Sequence, residues 1–191
     1  SGVYVDGLTR SDDIPTPNGF DHTLGGPSDI YLAKLSLDGT SLLWGTYVGG
    51  NGTEDTETHQ LALDPSGNAI VVGPTSSTDL PTSGNAFQRQ FAGGGTDAMV
   101  AKVSPSGALL AMTYLGGSGG ERAEGVATDA RGNIYLTGYT TSNDLPTNLG
   151  NNFAGGQDLM FGKFSPGLDQ LLVAAVVGGS GDDRGRSLIV S

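Results

Sequence analysis

Gly132-Asn133-Ile134-Tyr135-Leu136-Thr137-Gly138, followed by Asp144-Leu145-Pro146-Thr147, decides the fold, because the chain says the same thing twice more. Val3-Tyr4-Val5-Asp6-Gly7 leads to Asp13-Ile14-Pro15-Thr16, and Ala69-Ile70-Val71-Val72-Gly73 leads to Asp79-Leu80-Pro81-Thr82. Two further landmarks keep the same order. A glycine pair stands at Gly49-Gly50, Gly116-Gly117 and Gly178-Gly179, and an aspartate is followed five residues later by lysine at Asp29/Lys34, Asp97/Lys102 and Asp158/Lys163. Gly7, Gly73 and Gly138 are 66 and 65 residues apart, so the chain is a tandem array with a period of about 65 residues.

Within one period the β-branched and aromatic runs predict four short strands. In the third copy these are 125–129, 134–139, 159–164 and 171–177. Pro65-Ser66-Gly67-Asn68 and Ala130-Arg131-Gly132-Asn133 carry turn chemistry and join the first strand of a repeat to its second. No dozen residues keep a helical apolar period, so essentially no helix is expected. Runs such as Leu171-Leu172-Val173-Ala174-Ala175-Val176-Val177 suit a sheet covered on both faces. Four antiparallel strands stacked repeat on repeat describe a β-propeller blade. The fold class is therefore all-β and propeller-like, with about three four-stranded blades and twelve strands. The Asp-Leu-Pro-Thr stretch is expected to be an ordered loop hanging on one rim, since proline cannot donate to a ladder.

Composition sets the outer limits. Nine basic against 20 acidic residues give a net charge of −11, which disfavours nucleic acid and anionic membrane as partners. No apolar run approaches the ~20 residues of a membrane-spanning helix. The absence of cysteine removes disulfides, thiolate metal sites and a cysteine nucleophile.

The segments Tyr114 to Gly120, Gly132 to Thr140, Asp144 to Thr147, Ala86-Phe87-Gln88 and Asp97 to Lys102 together resemble the bacterial SBBP repeat, a family named for seven-bladed β-propellers. The resemblance runs over nearly the whole chain. It implies a propeller-like fold in secreted or cell-surface bacterial proteins, often large ones, and it implies no enzyme activity. The departure is in number, since three blades are fewer than the four to eight that close a ring.

The repeats divide the chain into 1–50, a blade lacking its first strand, then 51–117 and 118–179, two full blades, and 180–191, the first strand of a further blade. The chain starts at Val3-Tyr4-Val5, strand two of its blade, and ends at Leu188-Ile189-Val190, strand one of the next. These six residues are the expected assembly contacts: Leu188 to Val190 of one copy completes the opening blade of another by strand addition. Two copies would close a six-bladed ring, and failure to close gives a filament. A fragment of a longer propeller is the competing expectation, as is a carbohydrate- or protein-binding surface adhesion module.

Candidate sites are sparse. Lys34, Lys102 and Lys163 are the only lysines and share one repeat position, which points to one ion pair per blade. The acid four residues after each glycine pair, Glu54, Glu121 or Asp183, is the expected partner. The acidic clusters holding Glu54, Asp55, Glu121, Asp182 and Asp183 are calcium candidates by ligand type, although none has EF-hand spacing. No other cofactor is expected. His22 and His59 form no metal pair, no Gly-x-Ser-x-Gly elbow is present, and Asp12-Asp13 reads as a solvated turn, so catalysis is not expected. A repeated sugar site calls for the same aromatic in every copy. Trp44 is unique, and Phe87 and Tyr139 do not recur in all three.

Overall fold

The structure, a computed structural model, describes residues 1–56, 60–150 and 152–191. Eleven strands form three antiparallel sheets, with no helix among the described residues. The first blade pairs β1 (Val3–Thr9), β2 (Asp29–Leu35) and β3 (Leu42–Val48) in that order. The second runs β4 (Leu61–Leu63), β5 (Ala69–Thr75), β6 (Asp97–Val103), β7 (Leu109–Leu115), and the third β8 (Glu121–Thr128), β9 (Ile134–Thr140), β10 (Asp158–Phe164), β11 (Leu171–Val177). The expected twelfth strand is not formed. Leu188, Ile189 and Val190 have no ladder partner among the described residues.

Side-chain alternation explains how the blades stack. Along β5, Ala69 and Val71 join Ile30, Leu32, Trp44 and Val48 of the first blade, while Ile70 and Val72 join Ile134, Leu136 and Met160 of the third. Every residue of β5 and β6 is buried, as a sheet with both faces covered requires. The first blade keeps one face open, with Val3 and Val5 each 42% exposed on β1.

The Leu-Leu repeats have a second cause. The register slips after Lys34, Lys102 and Lys163, so Leu43, Leu110 and Leu172 are each skipped in the pairing. This is a β-bulge repeated in every blade, and the extra leucine is pushed toward solvent, 50% exposed at Leu110.

The proline-containing loops do not hang free on a rim. Each lies down the outer edge of its own blade, where Gly45 donates to Pro17 O (3.0 Å), Tyr47 to Asp21 O (3.2 Å), Ser83 to Met112 O (3.1 Å) and Tyr114 to Gln88 O (3.1 Å). The physical reason is that β3, β7 and β11 are edge strands whose unpaired backbone groups need partners. Leu80 and Leu145 of the Asp-Leu-Pro-Thr motif are buried and anchor these loops. The outer edges are thus covered, whereas the inner edge of β1 is bare.

Candidate functional site at the blade junctions

Each blade hands over to the next through the glycine-rich loop that follows its last strand. In Gly116-Gly117-Ser118-Gly119-Gly120-Glu121 the loop meets the end of β9 and the residues after it. Ser118 N donates to Asp144 Oδ1 (2.8 Å), Gly119 N to Ser142 Oγ (2.7 Å), and Gly120 N to Thr141 Oγ1 (2.6 Å). Glu121 is fully buried and accepts from Thr140 Oγ1 (2.6 Å), Ser142 Oγ (2.6 Å) and Gly117 N (2.8 Å).

The first junction repeats this bond for bond. Asn51 N donates to Asp79 Oδ1 (2.8 Å), Gly52 N to Ser77 Oγ (2.8 Å), and Thr53 N to Ser76 Oγ (2.8 Å). Glu54 accepts from Thr75 Oγ1, from Ser77 Oγ (2.6 Å) and from Gly50 N (3.1 Å). A Cβ on Gly52 would stand 2.5 Å from backbone atoms of Ser76 and Ser77, so only glycine permits the approach.

Behind each of these glutamates lies the aspartate that opens the last-but-one strand of the preceding blade, Asp29 behind Glu54 and Asp97 behind Glu121. A Cβ on Gly49 would fall 2.3 Å from Glu54 Oε2 and 2.6 Å from Asp29 Oδ1, which shows how closely the two carboxylates face each other. Asp29, Asp97 and Asp158 are fully buried, and Oδ1 of each has no hydrogen-bond donor among the described residues. Burial first, and then repulsion from the facing glutamate, pushes Asp29 up to about 6 and Asp97 up to about 7. The outer oxygens are held: Gly25 N donates to Asp29 Oδ2 (3.0 Å), and Ala92 N (2.8 Å) and Gln88 Nε2 (3.2 Å) donate to Asp97 Oδ2.

The lysines have other partners than those expected. Lys102 Nζ lies 2.9 Å from Asp64 Oδ2 and donates to Pro166 O of the third blade (2.9 Å). Lys34 donates to Pro105 O of the second blade (3.1 Å) and stands over the Tyr4 ring. Lys163 is 4.0 Å from Asp129 and lies over Tyr135. Glu54 and Glu121 are saturated by hydroxyl and amide donors at the opposite end of the strands, so they do not meet the lysines. The true partners, Asp64 and Asp129, also brace the hairpin turns: Asp129 Oδ1 accepts from Arg131 N and Asn133 N (both 2.9 Å), and Asn133 Nδ2 donates to its Oδ2 (2.7 Å). These bonds, the Asn133 side chain above all, hold Asp129 down at about 2.

The calcium candidates are scattered. Glu54 and Glu121 sit in separate junctions, Asp55 pairs with Arg122 (2.7 Å), and Asp182 accepts from Gln157 N (3.1 Å). Among the described residues no three His, Cys, Asp or Glu side chains gather as a metal site would need. His22 meets Thr16 Oγ1 at 3.0 Å in an exposed turn, and His59 lies outside the described residues. Trp44 is buried between the first and second blades at the lysine end, its Nε1 donating to Pro105 O (2.9 Å). Phe87 packs edge-on to Phe164 with centroids 5.8 Å apart, and Arg184 covers the Tyr139 ring at 4.9 Å.

Two comparisons bear on this arrangement. Residues 112–146 match the family model of SBBP, a beta-propeller repeat, and the match takes in one loop-to-socket junction and the adjoining strands. The chain is also 27% identical, over 132 residues, to an uncharacterized WD repeat-containing protein of Acanthamoeba polyphaga mimivirus. That alignment takes in 58% of this chain but only 9% of the relative's length. Residues 112–146 are thus similar to one β-propeller repeat of the SBBP type.

Proposed function

We propose that this chain is a non-catalytic structural module of a bacterial cell surface or secretion product, whose copies join head to tail by strand complementation. The observation that carries the reading is the unmatched pair of chain segments at opposite ends of the stack. The inner edge of β1 is bare, and residues 183–190 already follow the path of an inner strand. Gly185 N donates to Gly138 O (3.0 Å), Arg186 Nη1 pairs with Glu124 Oε2 (3.1 Å), and Val190 lies beside the Thr128–Arg131 turn. Ile189 is 92% exposed, an apolar side chain with nothing over it.

The register follows from the repeat. In the third blade Gly125, Val126, Ala127 and Thr128 pair with Thr137, Leu136, Tyr135 and Ile134. The corresponding residues set Ser187, Leu188, Ile189 and Val190 against Asp6, Val5, Tyr4 and Val3 of the next copy. Light scattering on the intact chain should give a mass that rises with concentration, and deleting 188–190 should return it to a monomer. A mass that is monomeric throughout, with or without those residues, removes the proposal.

A second reading, a glycan- or protein-binding adhesion module, is favoured by one feature. An open cleft of about 890 Å³ between the second and third blades is lined by Phe87, Gln88, Arg89, Phe91 and Pro146. Fluorescence of Trp44, buried away from that cleft, is not its reporter; a glycan array is the direct test.

A further inference from the structure

We infer that Thr9, Arg10, Ser11 and Asp13 form a socket for the loop Gly178-Gly179-Ser180-Gly181-Asp182-Asp183 of a second copy of this chain. The inference rests on the head-to-tail reading above and adds to it a second contact, separate from the strand ladder, with its own charge code.

The two internal junctions define what a socket is. Each consists of Thr-x-Ser-x-Asp: Thr75, Ser77 and Asp79 in one, Thr140, Ser142 and Asp144 in the other. The aspartate and the serine receive loop amides, and the threonine and serine hydroxyls donate to the loop glutamate. Thr9, Ser11 and Asp13 stand at the same places after β1, and the local geometry is already set. Ser11 N donates to Thr9 Oγ1 (3.1 Å), as Ser77 N does to Thr75 Oγ1 (2.9 Å) and Ser142 N to Thr140 Oγ1 (2.8 Å). Yet no carboxylate among the described residues reaches these hydroxyls, and Ser11 and Asp13 are exposed.

The third loop is the complementary orphan. Its inner half is built like the others: Asp183 N donates to Gln157 O, and Gly179 N to Asp183 Oδ2 (2.8 Å), matching Gly117 N to Glu121. In its outer half Asp182 accepts from Gln157 N (3.1 Å) and lies 3.8 Å from Arg184, but Gly181 stands open. A Cβ on Gly181 would meet no atom within 4 Å, whereas at Gly52 and Gly119 it would strike the socket backbone at 2.5 Å and 2.7 Å. Gly181 is a glycine without a reason in the isolated chain, and a docked socket supplies one.

The position that differs between junctions points to the occupant. Thr53 faces Ser76 and Gly120 faces Thr141, both neutral pairs. At the orphan ends the corresponding residues are Asp182 and Arg10, both exposed. Opposite charges are thus placed where they meet when the third loop of one copy enters the first socket of another. In the joint, Ser180 N donates to Asp13, Gly181 N to Ser11 Oγ, Arg10 pairs with Asp182, and Thr9 and Ser11 donate to Asp183.

The test is self-association of the full chain by sedimentation equilibrium, in variants at exposed positions that leave folding intact. Arg10→Glu and Asp182→Arg should each weaken association roughly five- to tenfold, as expected for reversing an exposed ion pair. The double variant Arg10→Glu/Asp182→Arg should recover most of the loss, and Ser11→Ala should weaken association by itself. Association that is lost on deleting 188–190 but is indifferent to all three substitutions overturns the socket and leaves strand addition standing. Association that survives that deletion but breaks with Arg10→Glu does the reverse. A chain that stays monomeric at the highest concentration reached overturns both.

Discussion

At the scale of single residues, the facing carboxylates set how the molecule answers to pH. Asp29 and Asp97 bind their protons more tightly in the folded chain, at about 6 and about 7, than an unfolded aspartate does near 3.8. A folded-state pKa raised above the unfolded one gives stability that is complete below the lower value and is lost as pH rises through the upper. Asp129, held at about 2, works in the opposite sense and its contribution fades only in strong acid. The stability maximum is therefore expected near pH 4–5, and thermal unfolding at pH 8 should occur at a lower temperature than at pH 5. Asp97→Asn removes the buried charge and lets an amide donate toward Glu121. It should raise the melting temperature at pH 8, by about 1–2 kcal/mol of stability, and change little at pH 5. A variant that is destabilised equally at both values contradicts a buried Asp97 charge repelled by Glu121. These pairs were out of reach of the sequence, where Asp97 and Glu121 show only as two separate periodicities. The same limit misassigned the lysines: recurrence shows that Lys102 has a repeated partner, but not that it is Asp64, 38 residues upstream, and not Glu121.

At the scale of elements, strand positions were legible because β-branched runs bounded by glycine leave few alternatives. In the third blade the expected second, third and fourth strands match Ile134–Thr140, Asp158–Phe164 and Leu171–Val177 to within a residue. What periodicity does not encode is the bulge, since a skipped residue breaks the two-residue alternation without changing composition. Its consequence can be measured. Leu110 lies outside the ladder and half in solvent, whereas Met112, two residues on, is fully buried between blades. Leu110→Ser should alter stability by no more than about 0.5 kcal/mol, while Met112→Ala should cost about 2–5 kcal/mol. Chemical denaturation separates the two, and a large loss at Leu110 would mean that the bulged leucine packs against something. The edge-covering path of the proline loops was equally hidden, because it depends on backbone groups of β3, β7 and β11 that every sequence possesses. Only their bare state in an open sheet dictates that a loop must lie on them.

At the scale of the whole molecule, the stack is not uniform, and its gradient connects stability to assembly. The second blade has a neighbour on both faces and four strands, the third a neighbour on one face, and the first a neighbour on one face with an unprotected inner edge. Local opening is cheapest where few apolar contacts and exposed backbone hydrogen bonds coincide. In native-state hydrogen exchange at concentrations that favour single copies, amides of β5 and β6 should therefore exchange slowest and those of β1 fastest. Raising the concentration should protect β1 selectively, together with the amides of Ser187 to Val190 that exchange freely in the single copy. Coupled protection of these two segments, far apart in sequence and at opposite ends of the stack, is a signature that a general slowing from crowding cannot mimic. Protection that rises evenly over all three blades, or on the open outer face of β11 alone, would place the contact between copies elsewhere. A contact confined to the blade ends also explains the cost the chain accepts in Val3, Val5 and Ile189. Apolar side chains on an open edge invite promiscuous pairing. In the proposed joint a strand adds only if its register also brings the acidic loop to Arg10 and to Thr9, Ser11 and Asp13, so that specificity would lie in the loop and affinity in the ladder.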